Sequence, residues 1–141
     1  MNTSRTTYSP MIVPIGRRHV DDIARIHAAC FDKAWNARIL TRILAMQGTF
    51  ALGVRHGGVV ADLLGFAIGR VAADECELLS LGVAPVCRGQ GLGAMMLDAA
   101  LVRAGSVNVR KFFLEVAENN VTALALYRAR GLCQVGRRPN Y

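Results

Sequence analysis

A chain of 141 residues, 52% apolar and 19% charged, has the size and composition of one globular domain, which excludes a disordered or fibrous protein. Its net charge of +7 favours acidic partners, but the basic residues are spread along the chain without the aromatic interleaving of a single-strand RNA platform. No apolar run reaches the roughly 20 residues of a membrane span. Neither Cys30, Cys76, Cys87 and Cys133 nor His19, His27 and His56 fall into a C-x-x-C pair or zinc spacing, so metal chemistry and a disulfide framework are not expected.

Residues 1–10 are Ser/Thr-rich and lack an apolar core, which reads as a flexible tail of a cytoplasmic protein and not as a signal or anchor. Residues 11–141 then form a single domain. A short strand over 11–15 carries Pro14, which suits a sheet edge. From Val20 the apolar positions turn helical: Val20, Ile23, Ala24, His27, Ala28 and Phe31 share a face, with Asp21 and Asp22 in the favourable first turn. His27 on that face reads as a packed histidine. Asn36 is placed to cap a second helix with the stripe Ile39, Leu40, Ile43 and Leu44, which ends at Gly48.

Residues 49–55 and 59–71 read as two strands of a hairpin turned at His56-Gly57-Gly58, with Gly65 and Gly69 as candidate bulge positions. Asp74-Glu75 marks the next turn, and 77–83 is a buried strand. After a break at Pro85 come Arg88, Gly89, Gln90 and Gly91, then a largely buried helix from Leu92 to about Ala104 with Gly105 as its cap. A strand over 111–116 follows, apolar on both faces except at Glu115. Asn119-Asn120 opens a helix to Arg130, Gly131 closes it, and 132–137 begins a last strand. The order is βαα, three antiparallel strands, then two strand–helix units: an α/β protein with a mixed sheet.

The stretch from Arg88 to Ala94 dominates this pattern. Gly89, Gly91 and Gly93 remove side chains where backbone N–H groups face the space before a helix, and a helix N-terminus offers unpaired donors and a positive dipole end. Arg88 adds charge, so the loop suits a phosphate or pyrophosphate. A Walker loop is excluded, because no Lys-Ser or Lys-Thr follows. Gly89, Gly91 and Ala94 satisfy the relaxed dinucleotide fingerprint G-x-G-x-x-G/A, and Glu115 could imitate its ribose-binding acid. That fingerprint belongs at a first strand–helix turn, however, whereas three strands come before the one that leads into this loop. The third reading is [QR]-x-x-G-x-[GA], spelled by Arg88, Gly91 and Gly93. The plainest reading is a turn with capping glycines.

With that third spelling the chain resembles the GNAT superfamily of acetyl-CoA-dependent N-acetyltransferases, over nearly its whole length from Met11. Leu114-Glu115-Val116, Asn120, Ala125-Leu126-Tyr127, Gly131-Leu132 and 136–141 (Gly-Arg-Arg-Pro-Asn-Tyr) look like the RimI-type ribosomal-protein-alanine N-acetyltransferases. Phe31 and Trp35 fit that subgroup. The resemblance implies the GNAT fold, a mixed, mostly antiparallel sheet flanked by helices and splayed between strands 4 and 5. The family continues past its Asn-Tyr with another strand; this sequence stops at Tyr141, so a truncated or differently closed sheet is expected.

The resemblance further implies that Arg88, Gly89, Gln90, Gly91, Leu92, Gly93 and Ala94 hold the coenzyme A pyrophosphate. Leu81 and Val83 would pair with the pantetheine arm through their main chain, and Asn120 would bond to that arm, although capping its own helix explains an asparagine there equally well. Glu115 matches the general base, and a carboxylate in an apolar strand is costly unless paired or used. Tyr127 matches the general acid for the thiolate; a helical tyrosine is as often an amphipathic core residue. Cys87, beside the loop, is not a nucleophile in this scheme.

The expected reaction moves an acetyl group from acetyl-CoA to the N-terminal amine of a protein, an alanine of a small-subunit ribosomal protein, by direct attack in a ternary complex. No metal, nucleic acid or membrane enters, and the enzyme is a monomer or weak dimer. The alternatives are a GNAT enzyme for a small-molecule amine or lysine, and a non-catalytic coenzyme A-binding module.

Overall fold

The computed structural model describes residues 9–57, 62–116 and 119–133. Five strands lie side by side in chain order: β1 (Pro10–Ile15), β2 (Thr49–His56), β3 (Gly65–Ala72), β4 (Glu75–Val83) and β5 (Lys111–Leu114). The first four are antiparallel neighbours, and β5 joins β4 in parallel. Helices α1 (Val20–Cys30) and α2 (Ala37–Ala45) connect β1 to β2, α3 (Leu92–Ser106) connects β4 to β5, and α4 (Val121–Ala129) follows β5. This is the mixed α/β sheet expected from the order of elements. Among the described residues no helix is long and apolar enough to cross a membrane.

Period-two alternation sorts the strands into two cores. Phe50, Leu52 and Val54 of β2 and Ala67 of β3 face α3, where Leu92, Met96, Leu97, Ala100 and Ala104 meet them. Ala51, Phe66 and Ile68 point the other way, onto Val20, Ile23, Ile26 and Leu40 of α1 and α2. Each buried Val, Leu, Ile, Phe or Met among them contributes about 1.5–3 kcal/mol of hydrophobic free energy relative to exposure, and each alanine less. Asn36 caps α2 as expected, its side chain accepting from the Ile39 N–H at 2.9 Å. Pro14 lies on the edge strand β1.

Among the described residues the sheet departs from its regular ladder once. Gly69 opposes Leu78 and Ile68 opposes Ser80, so Leu79 is an extra residue on β4. The residue pattern points to an irregularity at Gly65 or Gly69; its extra residue belongs to the partner strand. Before this bulge Leu78 packs on the α3 side; after it Leu81 and Val83 do, while Leu79 itself turns to the α1 side. The parallel pairing to β5 reaches Leu78 opposite Leu114 and goes no further.

Several boundaries move for physical reasons. Strand β5 ends at Leu114 and not at residue 116, because β4 no longer runs beside it. Glu115 is therefore exposed just beyond the strand, and the cost of burying a carboxylate does not apply to it. Helix α3 passes through Gly105 to Ser106; the reversal is made at Asn108 (φ +64°), a residue type that tolerates the left-handed region. Helix α1 stops at Cys30 with Phe31 extended, so its buried face is Val20, Ile23, Ile26 and His27, while Ala28 and Phe31 are exposed. Strand β3 begins at Gly65 and not at residue 59. The predicted hairpin turn at 58, the strand positions beyond 133 and most of the tail fall outside the described residues; the chain is already in strand at Pro10.

Candidate active site

Where β4 and β5 part, a cleft of about 690 Å³ opens between them. Its floor is β4 from Leu78 to Val83. Leu114, Glu115 and Val116 form one wall; Asn120, Thr122, Ala123, Leu126 and Tyr127, along α4 and its N-cap, complete it. Cys30 and Phe31 close it from the end of α1, and Cys87, Arg88, Gly89, Gly91, Leu92 and Gly93 from the loop. A parallel pair separated by a bulge leaves the main chain of the floor facing the opening.

The loop is built for close approach. After Pro85–Cys87, a single 3-10 turn, the chain rises through Gly89 (φ +83°) and Gly91 (φ +77°), both in the left-handed region that costs other residues about 1–2 kcal/mol. A Cβ added to either would meet nothing within 4 Å, so their space opens to the outside. Gly91 is the N-cap of α3 and provides no side-chain cap, which leaves the first-turn N–H groups to an outside acceptor. No acidic residue stands in that turn. A phosphate-bearing substrate fits a cradle of this kind.

Of the residues singled out in the sequence, Leu81, Val83, Arg88, Gly89, Gly91, Leu92, Gly93, Glu115, Asn120 and Tyr127 line this one cleft. Gln90 and Ala94 do not: Gln90 is exposed and Ala94 half-buried on α3. Asn120 caps α4, accepting from the Ala123 N–H at 3.1 Å. Arg88 turns its donors back onto the end of β4: Nε donates to the Val83 carbonyl at 3.2 Å and Nη2 to the Cys30 sulfur at 3.3 Å. The Cys30 thiol donates to the same carbonyl at 3.4 Å. Composition marks Cys30 only as a small buried side chain; its place on the cleft comes from the end of α1 meeting Val83, a contact across 53 positions that no local pattern announces.

Behind Phe31 lies a packed aromatic group. The His27 ring is 3% exposed, with Phe31, Trp35 and Phe66 at centroid distances of 4.4, 4.7 and 5.8 Å. Its Nδ1 accepts the backbone N–H of Trp35 at 3.0 Å. Burial holds this imidazole below the ordinary histidine range, because water no longer solvates its charged form.

The model of the acetyltransferase (GNAT) family matches residues 20–132. The N-alpha-acetyltransferase RimI of Mycobacterium tuberculosis is 35% identical over 123 residues, which are 84% of this chain and 75% of that protein. An uncharacterised Mycobacterium leprae protein is 34% identical over 86% of the chain, but the match spans only 34% of that longer protein. The [ribosomal protein bS18]-alanine N-acetyltransferase of Salmonella typhimurium is 36% identical over 76 residues, about half of either chain. In structure, the ribosomal-protein-S18-alanine N-acetyltransferase of Escherichia coli superposes with a TM-score of 0.86 at 23% identity, covering 94% of this chain and 83% of that one. An aminoglycoside N-acetyltransferase in complex with CoA superposes at 0.79 and 14% identity, over 99% of this chain and 97% of that one.

Proposed function

The chain belongs to the acetyltransferase (GNAT) family, and on that premise we propose that it moves the acetyl group of acetyl-CoA to a primary amine, the N-terminal amine of a protein. One observation carries this reading: the glycine loop, the opened floor of β4, Glu115 and Tyr127 border a single cleft. Acetyl-CoA supplies an activated acyl thioester and a pyrophosphate that suits the first turn of α3.

The chemistry asked of this chain's own residues is modest. Glu115, through a water, takes the proton that the amine loses as its nitrogen bonds to the carbonyl carbon. As the carbon–sulfur bond breaks, Tyr127 hands its phenolic proton to the departing sulfur. Positioned acid–base groups of this kind contribute about 10²–10⁴-fold each. The main-chain N–H of Val83 is our candidate for the charge that develops on the carbonyl oxygen. Asn120 serves twice, as cap of α4 and as a polar group on the wall.

Protonation equilibria favour an N-terminal acceptor. At neutral pH about 10% of α-amino groups are already neutral, against well under 0.1% of lysine amines. A single exposed carboxylate suits the first and is a weak base for the second. The relatives named for N-terminal or bS18-alanine acetylation support alanine on a small-subunit ribosomal protein as the first acceptor to try. The test is thiol release from acetyl-CoA with a peptide bearing a free N-terminal alanine, beside the same peptide blocked. Turnover that requires the free amine is expected; saturable acetyl-CoA binding without turnover on any amine would leave a binding module instead.

A further inference from the structure

One buried polar group takes no part in that chemistry. It is His27, on the side of the cleft remote in sequence from Glu115 and Tyr127. Its ring stands between Phe31, Trp35 and Phe66, and its Nδ1 accepts the Trp35 N–H. Acceptance at Nδ1 requires the neutral tautomer with its proton on Nε2. Phe66 is fully buried in β3, so the ring is held from the sheet side and in turn holds the chain between α1 and α2. That segment leaves α1 at Phe31, is tied at Trp35 and re-enters helix after the cap Asn36.

Phe31 is the consequence of this tie. It lines the cleft beside Cys30 and is 37% exposed, and it and Tyr127 are the two aromatic side chains among the described lining residues. An exposed aromatic face backed by a buried, hydrogen-bonded ring is a rigid contact surface, which costs little entropy when a ligand packs on it. The cleft's other elements already have work in that reading: the loop for the pyrophosphate, the β4 floor for the coenzyme arm, and the end of β5 with α4 for the acid–base pair. What remains for Phe31 is the chain that carries the amine.

We propose that His27 is the positioning residue of the acceptor wall: by accepting the Trp35 amide and stacking behind Phe31, it fixes the segment between α1 and α2 against which the amine-bearing peptide packs. This rests on the acetyltransfer reading. It makes His27 responsible for how well the acceptor binds, and for neither acetyl-CoA binding nor proton transfer.

Trp35 is the single tryptophan of the chain, so its fluorescence and its amide exchange report on this segment directly. The experiment compares wild type with His27→Phe, which keeps a ring and removes the acceptor, and with His27→Asn, which keeps an acceptor near the Nδ1 position. Expected for His27→Phe are faster exchange at the Trp35 amide, a shifted Trp35 emission and an acceptor-peptide KM raised by about tenfold, the size of one lost hydrogen bond. The acetyl-CoA KM and kcat at saturating peptide stay within about twofold, and His27→Asn recovers part of the exchange protection and of the peptide KM. An unchanged peptide KM with a deprotected Trp35 amide overturns the proposal, since the tie would then be purely structural; so does a Trp35 amide as protected as in wild type. If His27→Phe does not fold, His27→Asn carries the comparison through its loss of the stacked ring: a peptide KM raised several-fold with the acetyl-CoA KM unchanged is expected, and a peptide KM equal to wild type overturns the proposal. Absence of turnover by wild type on every amine overturns the acetyltransfer reading itself, a result recognisably different from either.

Discussion

Arg130, just past the end of α4, grips Asp98 on α3 with two nitrogens, Nε to Oδ1 at 2.8 Å and Nη2 to Oδ2 at 3.3 Å. The pair joins the helix that begins at the glycine loop to the helix that carries Tyr127. Their side chains are 30% and 55% exposed, so solvent screens the pair and its contribution to stability is at most about 1 kcal/mol. It adds a polar tie to the apolar contact of α4 with α3, where Leu126 and Tyr127 pack on the cluster of Leu92, Met96 and Leu97. Asp98→Ala is expected to leave the melting temperature within a few degrees while lowering turnover several-fold, and exchanging the two residues should restore part of the loss. A double-mutant cycle on kcat/KM measures the coupling.

Glu115 and Tyr127 give the sharpest catalytic prediction. Glu115→Gln and Tyr127→Phe should each lower kcat by about 10²–10⁴-fold while acetyl-CoA binding, followed by calorimetry, changes little. The two losses should combine to less than their product if both groups act in one concerted step. Equal activity in either variant removes that residue from the mechanism.

At the loop, Gly91→Val forces a β-branched residue to φ +77°, where such side chains are strained. The expected outcome is acetyl-CoA affinity weakened by about tenfold or more, in proportion to a strain of roughly 1–2 kcal/mol. A free α3 N-terminus should also make that affinity fall with salt, and titrations at two ionic strengths check this.

Burial of His27 predicts an acid limit to stability. The folded protein disfavours the imidazolium, so on acidification the unfolded chain takes up this proton first. The contribution is complete above the ordinary histidine value of 6.5 and is lost as pH falls from there through the lower folded value. Thermal unfolding between pH 7.5 and 5 should therefore show a steeper loss for wild type than for His27→Phe.

Much of this was legible locally. The cap Asn36, the glycine loop and the order of strands and helices follow from spacing and residue type alone. What escaped was whatever depends on where strands stop touching. Glu115 reads as a strand interior from its apolar neighbours, but its strand loses its partner after Leu114 and the carboxylate emerges into solvent. Phe31 reads as the last turn of an apolar helix face, but the helix ends one residue earlier and the ring turns to the cleft. Cys30 meets Val83 and Arg88 only because α1 crosses that end of β4.

The extra residue at Leu79 separates two properties that are usually selected together. Because Ser80 and Leu78 already face consecutive positions of β3, a chain lacking Leu79 keeps the same partners and the same inward side chains on either side of it. What it loses is the kink, and with it the reason for β4 and β5 to part. Such a shortened protein would keep its strand pairing, lose the contacts Leu79 makes with the α1-side core, and lose far more in substrate turnover than in melting temperature. Length at this one position is a functional trait, read in the cleft more than in the fold.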